Sequence, residues 1–208
     1  MSINELAKVA AVGKPKKDRA CEIVKELAEQ HPESINELGA LYAYFMPPKP
    51  RKPKGVWDWV TLATPKKDAR HYLNYVHVTA DWITSTDGHR AHRAPNLQNL
   101  EPGYYNVRGD KLEEPDFATY PDLHRVTPSL MDRTPIPATP GEWQVTAVNG
   151  TVCYVLPGGV HVNKRYMDDI LAHPIGAEQV YVGETNQAIR VMFKNTEDTT
   201  AVLMPVRA

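Results

Sequence analysis

The sequence predicts an α+β protein in which two strand-helix-strands halves, at 56–94 and 141–206, follow a small helical segment. Three observations predict it. Residues 1–46 place apolar side chains at helical spacing. Residues 47–55 are crowded with proline. From residue 56 onward the pattern turns to alternation, interrupted by short helical stretches.

In chain order, Ser2 and Glu5 form a capping-box pair ahead of Ile3, Leu6 and Ala10, and Gly13 and Pro15 end that first helix. A second helix is predicted from Lys17 to about Gln30, with Ala20, Val24, Leu27 and Ala28 on one face and Pro32 as its stop. Ser34 repeats the opening Ser-Ile-Asn-Glu-Leu signature and starts a third helix, with Ile35, Leu38, Leu41, Tyr42 and Phe45 as its stripe. Pro47 to Gly55 holds four prolines with Lys49, Arg51, Lys52 and Lys54, so it reads as a stiff, basic, extended linker. Trp57, Trp59 and Thr61 alternate as a strand, and Pro65 to Leu73 reads as a short helix with proline in its first turn. Val76, Val78 and Ala80 share one face of a strand that ends at an Asp81 turn, and Trp82 to Arg90 continues as the next strand.

Residues 95–140 contain eight prolines and read as a long loop or a set of edge pieces. The last third is more regular. Trp143, Val145 and Ala147 alternate, Asn149-Gly150 is a hairpin turn, and Thr151 to Leu156 returns. Gly158-Gly159 marks a turn before Val160 and Val162. Asn163 caps a helix over Lys164 to His173, and three strands follow at Gln179–Gly183, Ala188–Phe193 and Ala201–Val206.

Composition narrows the function classes. The chain has 208 residues, 42% hydrophobic and 24% charged, with a net charge of −1. A near-neutral molecule does not coat nucleic acid by global charge, so any such contact must be local. The basic balance is indeed uneven: residues 1–55 carry 10 Lys/Arg against 7 Asp/Glu, and the remainder 14 against 18. Cys21 and Cys153 are too few for a disulfide scaffold or a cysteine zinc site, and no apolar run is long enough for a membrane span. The expected setting is reducing cytosol, with no cofactor.

The densest polar cluster is Thr86-Asp87-Gly88-His89-Arg90-Ala91-His92-Arg93. Asp87, His89 and His92 invite a metal-hydrolase reading, but on a strand His89 and His92 point to opposite faces. Asp168-Asp169 diverges by about 100° on a helix and reads as a solvated face. No nucleophile elbow, P-loop or dinucleotide fingerprint is present. Lys66, Lys67 and Arg70 fall at helical spacing opposite Ala69 and Leu73 and form a candidate phosphate-touching face, with the linker's Lys49, Arg51, Lys52 and Lys54 as a second.

Four segments together resemble the bacterial DNA polymerase sliding clamps, the DNA polymerase III beta subunit family. Thr86-Asp87-Gly88-His89-Arg90 resembles the family's Thr-Asp-Gly-His-Arg strand. Tyr120-Pro121-Asp122-Leu123-His124-Arg125-Val126-Thr127-Pro128 is similar to its Phe-Pro-Asp-Tyr-Arg-Arg-Val-Leu-Pro segment. Asn163 to Leu171 resembles its Asn-x-x-Tyr-Leu-x-x-Leu helix, and Val202-Leu203-Met204-Pro205-Val206-Arg207 resembles its Val-Val-Met-Pro-Met-Arg ending. The match runs patchily over 56–208.

The resemblance implies a non-enzymatic replication accessory with a pocket for the clamp-binding peptides of DNA polymerase and its partners. Carried over, that pocket uses Thr86, Gly88, His89, Arg90, Pro121, Arg125, Val126, Val202, Met204, Pro205 and Arg207. Double-stranded DNA and a homo-oligomer around it are the further implied partners. His124 stands for an arginine of the family, Ala91 for a leucine and Val206 for a methionine. Residues 91–119 are short for the family, which suggests a compressed, phage-type form. The rival expectations are a monomeric adaptor or decoy that competes for the same clients, and a DNA- or protein-binding module in the N-terminal helices.

Overall fold

The computed structural model describes residues 17–34, 38, 39, 42, 52–113 and 120–207. Helix α1 takes the expected bounds, Lys17–Gln30, and buries Val24; a single 3-10 turn at Pro32–Ser34 follows. The helix predicted at Ser2 and linker residues 47–51 lie outside the described residues. Of the one predicted at Ser34, Leu38 is buried.

Three local expectations are corrected. Residues Val56–Thr61 form a helix, α2, not a strand. The alternation of Trp57, Trp59 and Thr61 competes with a second pattern, Val56, Trp59, Val60 and Ala63, at helical period. The second wins because it puts Trp59, Val60 and Ala63 in the core with no exposure at all. Residues 65–70 form bends rather than a helix, followed by a 3-10 turn at His71–Asn74. Here side chains capture the backbone: the Asp68 N–H donates to Asn74 Oδ1 at 2.7 Å, the Asn74 amide donates to the Asp68 carbonyl at 3.0 Å, and the Arg70 N–H donates to Asp68 Oδ1 at 2.8 Å. Finally, the strand predicted over 82–90 is the start of a hairpin, with β2 (Trp82–Thr86) and β3 (Arg90–Pro95) joined by a turn at 87–89.

The remaining strands are β1 (Val76–Val78), β4 (Gly103–Tyr105), β5 (Thr134–Pro137), β6 (Gln144–Val148), β7 (Thr151–Leu156), β8 (Val160–Asn163), β9 (Ala177–Val182), β10 (Ile189–Phe193) and β11 (Thr196–Leu203). The Asn149-Gly150 hairpin forms as predicted, with both residues at positive φ. Helix α3 (Lys164–Leu171) follows β8, capped as expected by the Asn163 side chain, which accepts from the Tyr166 N–H at 3.2 Å. Among its described residues, the proline-rich 95–140 stretch supplies the edge strands β4 and β5 and short 3-10 turns at Leu123–Arg125 and, at its end, Pro140–Glu142.

Eight antiparallel strands form one sheet in the order β4-β1-β2-β3-β11-β10-β9-β5, and β6-β7-β8 form a second. The two halves meet where β3 pairs with β11. The first half opens on its helix, so the strand-helix-strands pattern holds only in the second. Both helices lie on the inner face of the large sheet, α2 against β2 and β3, α3 against β11 as well as β7 and β8. The Trp59 indole joins them by donating to the Ile170 carbonyl at 3.0 Å. Ile83, Ala94, Val180, Val191, Ala201 and Leu203 face inward with Met167 and Ile170 to make one core. Trp59, fully buried, anchors it, and truncating such a residue to alanine costs about 3–5 kcal/mol. Two polar groups of the inner face are satisfied by α2: Ser85 donates to the Val60 carbonyl, and His92 Nδ1 donates to the Trp59 carbonyl at 2.8 Å.

Candidate functional site

The resemblance-derived residues fall on three neighbouring segments at the seam between the halves. The first is the β2–β3 turn. Thr86 Oγ1 donates to the Arg90 carbonyl at 2.6 Å and accepts from the Gly88 N–H at 3.0 Å. Asp87 Oδ1 accepts from the His89 and Arg90 N–H groups, both at 2.9 Å. Gly88 sits at φ +87°, where L residues are strained, and a Cβ there would meet the Arg70 guanidinium at 2.9 Å. Short polar side chains and one glycine therefore fix the loop before any ligand arrives.

Arg90 anchors this turn from the inner face. Its Nη1 lies 2.7 Å from Asp169 Oδ2 on α3, its Nε 3.2 Å from Asp87 Oδ2, and its Nη2 donates to the Leu62 carbonyl. The guanidinium also lies over the Tyr166 ring at 4.3 Å. Arg90 is thus buried and holds the turn in place. Asp169 is correspondingly buried, not on the solvated face that the sequence suggested, whereas Asp168 turns outward to Tyr154 and Lys164.

The second segment is the 3-10 turn Leu123–Arg125, capped by Asp122, whose carboxylate accepts from the His124 N–H at 2.9 Å. Leu123 packs in one cluster with Ala91 and Val202, partners across β3 and β11, and Ala188 packs against them. Pro121, Arg125 and Val126 remain exposed around it. The third segment is the tail after β11. The Met204 N–H donates to the His89 carbonyl at 2.8 Å, which ties tail to turn, while the Met204 side chain is 43% exposed. Pro205 is half-buried, the Val206 N–H donates to the His161 carbonyl at 2.8 Å, and Arg207 is exposed with its carbonyl accepting from Asn149. Leu123, Ala91 and Ala188 complete an apolar cluster with Val202 that no pattern in the sequence singled out. The signal that could have found Leu123 was its place three residues after Tyr120 in an otherwise polar segment.

The basic candidates separate. Lys66 and Lys67 are exposed on a bend, and Lys52 and Lys54 are exposed before α2. Lys49 and Arg51 lie outside the described residues. Arg70 is already engaged: its guanidinium lies 2.9 and 3.0 Å from the Asp68 carboxylate and donates to the Asp87 carbonyl, so it buttresses the turn. That pairing holds the Asp68 carboxyl down at about 2. The metal-hydrolase set does not assemble. Asp87 is spent on the turn, His89 points to solvent, and His92 is stacked on Trp59 at 4.3 Å in the core. Among the described residues no three His, Cys, Asp or Glu side chains cluster as metal ligands.

This architecture, an eight-stranded antiparallel sheet with two helices and a smaller sheet on its inner face, is similar in fold to solved bacterial DNA polymerase sliding clamps. Among the solved structures it matches are bacterial DNA polymerase III beta subunits. The sliding clamp of Pseudomonas aeruginosa aligns with a TM-score of 0.52 at 18% identity, covering 74% of this chain and 64% of that one. The beta subunit of Thermotoga maritima aligns at 0.51 and 12%, covering 74% and 62%. That of Streptococcus pneumoniae aligns at 0.50 and 13%, covering 74% and 62%. The chain thus spans less than two thirds of the length of these structures. No protein-family model and no curated protein matches the sequence. Among the described residues no helix is long and apolar enough to cross a membrane.

Proposed function

We propose that the chain is a sliding-clamp-like DNA replication accessory, not an enzyme, and that it binds short peptides of DNA polymerase or its partners at the seam between β3 and β11. The observation that carries this reading is the junction of three segments at one place. A prewired turn at 86–90, the Leu123 cluster and the exposed Met204 are joined by the Met204–His89 backbone bond. Leu123, Ala91 and Val202 make an apolar floor, and Val126 and the adaptable Met204, 52% and 43% exposed, offer apolar walls. Of the basic candidates, Lys66, Lys67, Lys52 and Lys54 are exposed enough to meet a phosphate backbone. The test is titration of labelled Leu-Phe-containing peptides against the wild type and Met204→Asp. Because Met204 is half-exposed, the variant keeps its melting temperature while peptide affinity falls at least about tenfold. Unchanged affinity would place the pocket elsewhere.

A second reading, a monomeric adaptor that competes for the same peptides, is favoured by β5. Its register against β9, with the Ala138 N–H donating to the Glu178 carbonyl, turns the backbone of Pro135 and Pro137 outward. That edge presents no N–H at two successive outward positions, which disfavours strand-to-strand association there. Light scattering over a concentration range separates a monomer from a closed oligomer.

A further inference from the structure

Beside the apolar floor, on the outer face of the large sheet, two arginines stand without a counter-ion. Arg93 on β3 is the Cα partner of Thr200 on β11, and Arg190 on β10 is that of Val202. Arg190 Nε donates to Thr200 Oγ1 at 3.2 Å, so both side chains flank one hydroxyl. Arg93 is 9% exposed, and its Nε has no hydrogen-bond partner. Its guanidinium lies over the Trp82 ring at 4.3 Å, with Nη1 3.4 Å from His124 Nε2. No carboxylate among the described residues reaches either arginine within ion-pair distance. Asp198 and Asp122 attract Arg93 only at longer range. Burial, and then the charge of Arg190, lower the Arg93 guanidinium below its usual value; burial lowers that of Arg190. Recessed cations in this state form half of an ion pair.

Their position says what the other half is. Ala91 and Arg93 lie on the same face of one strand, two residues or about 7 Å apart. Leu123, which seats on Ala91, adjoins His124, which touches Arg93. An extended peptide with an apolar side chain at Leu123 thus passes the arginines about two residues away. Arg93 is too recessed for the backbone of a duplex, which calls for projecting cations, but a planar carboxylate suits a guanidinium fork.

We propose that Arg93 and Arg190, with Thr200 between them, receive the carboxylate of an acidic residue in the peptide that docks on Leu123, Ala91 and Val202. The assignment rests on the peptide reading above and adds a charge requirement to it.

The test uses the full chain and fluorescein-labelled peptides carrying one Leu-Phe pair. A single Asp is placed one, two or three residues to either side, and each peptide is compared with its Asn twin. At least one register binds about tenfold tighter as Asp, and the preference shrinks with salt. Arg190→Gln brings the Asp-to-Asn affinity ratio close to one. Arg190→Lys, which keeps the charge but not the fork, retains part of it and serves if the glutamine variant does not fold. Equal binding of every Asp and Asn twin overturns the inference while leaving the apolar seat standing. Absence of binding by any peptide overturns the reading of the seat itself. Inorganic phosphate that abolishes the Asp preference where acetate does not would assign the arginines to a phosphate ligand and overturn the carboxylate.

Discussion

Replacing Arg90 by methionine tests whether the turn is held from below. The side chain is 5% exposed and answers two carboxylates, Asp169 at 6% and Asp87 at 12% exposure, besides the Leu62 carbonyl. Methionine fills similar space but takes the cation away from both carboxylates, and removing one partner of a buried pair costs about 3–5 kcal/mol. Because Asp87 keeps its bonds to the His89 and Arg90 N–H groups and some water, we expect about 4 kcal/mol for Arg90→Met. Asp169→Asn leaves Arg90 with Asp87 and Leu62, so it costs less, about 2–3 kcal/mol. For a chain of this size 4 kcal/mol corresponds to about 8–16 °C in melting temperature.

Urea denaturation of the single variants and of Arg90→Met/Asp169→Leu provides the measurement. The double variant also removes the inner carboxylate that has lost its cation and is expected to recover part of the loss of Arg90→Met. An Arg90→Met variant within about 1 kcal/mol of wild type, or a double variant no better than it, refutes the claim that Arg90 is held by buried charge pairing. Peptide affinity measured on the same variants should fall with the turn.

Two further outcomes follow from burial. His92 and His173 are buried beside Trp59, and desolvation first of all lowers their pKa values to about 3 and about 4. Their folded values lie below the unfolded value near 6.5, so the unfolded chain binds protons that the folded one does not. Stability therefore falls as pH drops from about 6.5 towards 4, by up to about 2.7 kcal/mol per pH unit when both contribute. Urea midpoints that stay flat between pH 7 and 5 would contradict this. Cys153 is fully buried, and burial pushes its thiol up to about 11, so site-resolved iodoacetamide labelling should reach it only after unfolding.

The sequence discloses most where local chemistry and tertiary packing agree. Asn149-Gly150, the Asn163 cap and the bounds of α1 depend on backbone conformation and capping, which neighbours in sequence determine. It misleads at 56–61, where alternation and helical period coexist and only the core under β2 and β3 chooses between them. It misleads again at 65–70, where Asp68 and Asn74 bind the backbone that a helix would need. Within the candidate site, the residues of 86–90 stand out by resemblance, but their pattern reads as strand where a turn forms, although the hydrogen bonds that make it are local. Leu123 as the floor was not legible, because its partners Ala91 and Val202 are distant in sequence. The arginine pair was hidden for the same reason: Arg93 and Arg190 meet only through the register of β3, β11 and β10.

That register also explains why a candidate site forms at this place. The β3–β11 pairing is the junction of the halves, so residues from both ends of the domain lie one strand apart there. On the inner face, Arg90 crosses the junction to Asp169; on the outer face, Leu123 bridges Ala91 and Val202; at its end, Met204 bonds to His89. Each contact joins one half to the other, and each also shapes the candidate pocket. A ligand seated on Leu123 and Met204 therefore touches groups whose placement depends on the junction being closed. Peptide binding and stability of the junction are then linked, and a bound peptide should raise the unfolding midpoint in proportion to the logarithm of its concentration above Kd. Arg90→Met should weaken that response together with the fold, whereas Met204→Asp should move the response to at least about tenfold higher peptide concentration and leave the peptide-free midpoint in place.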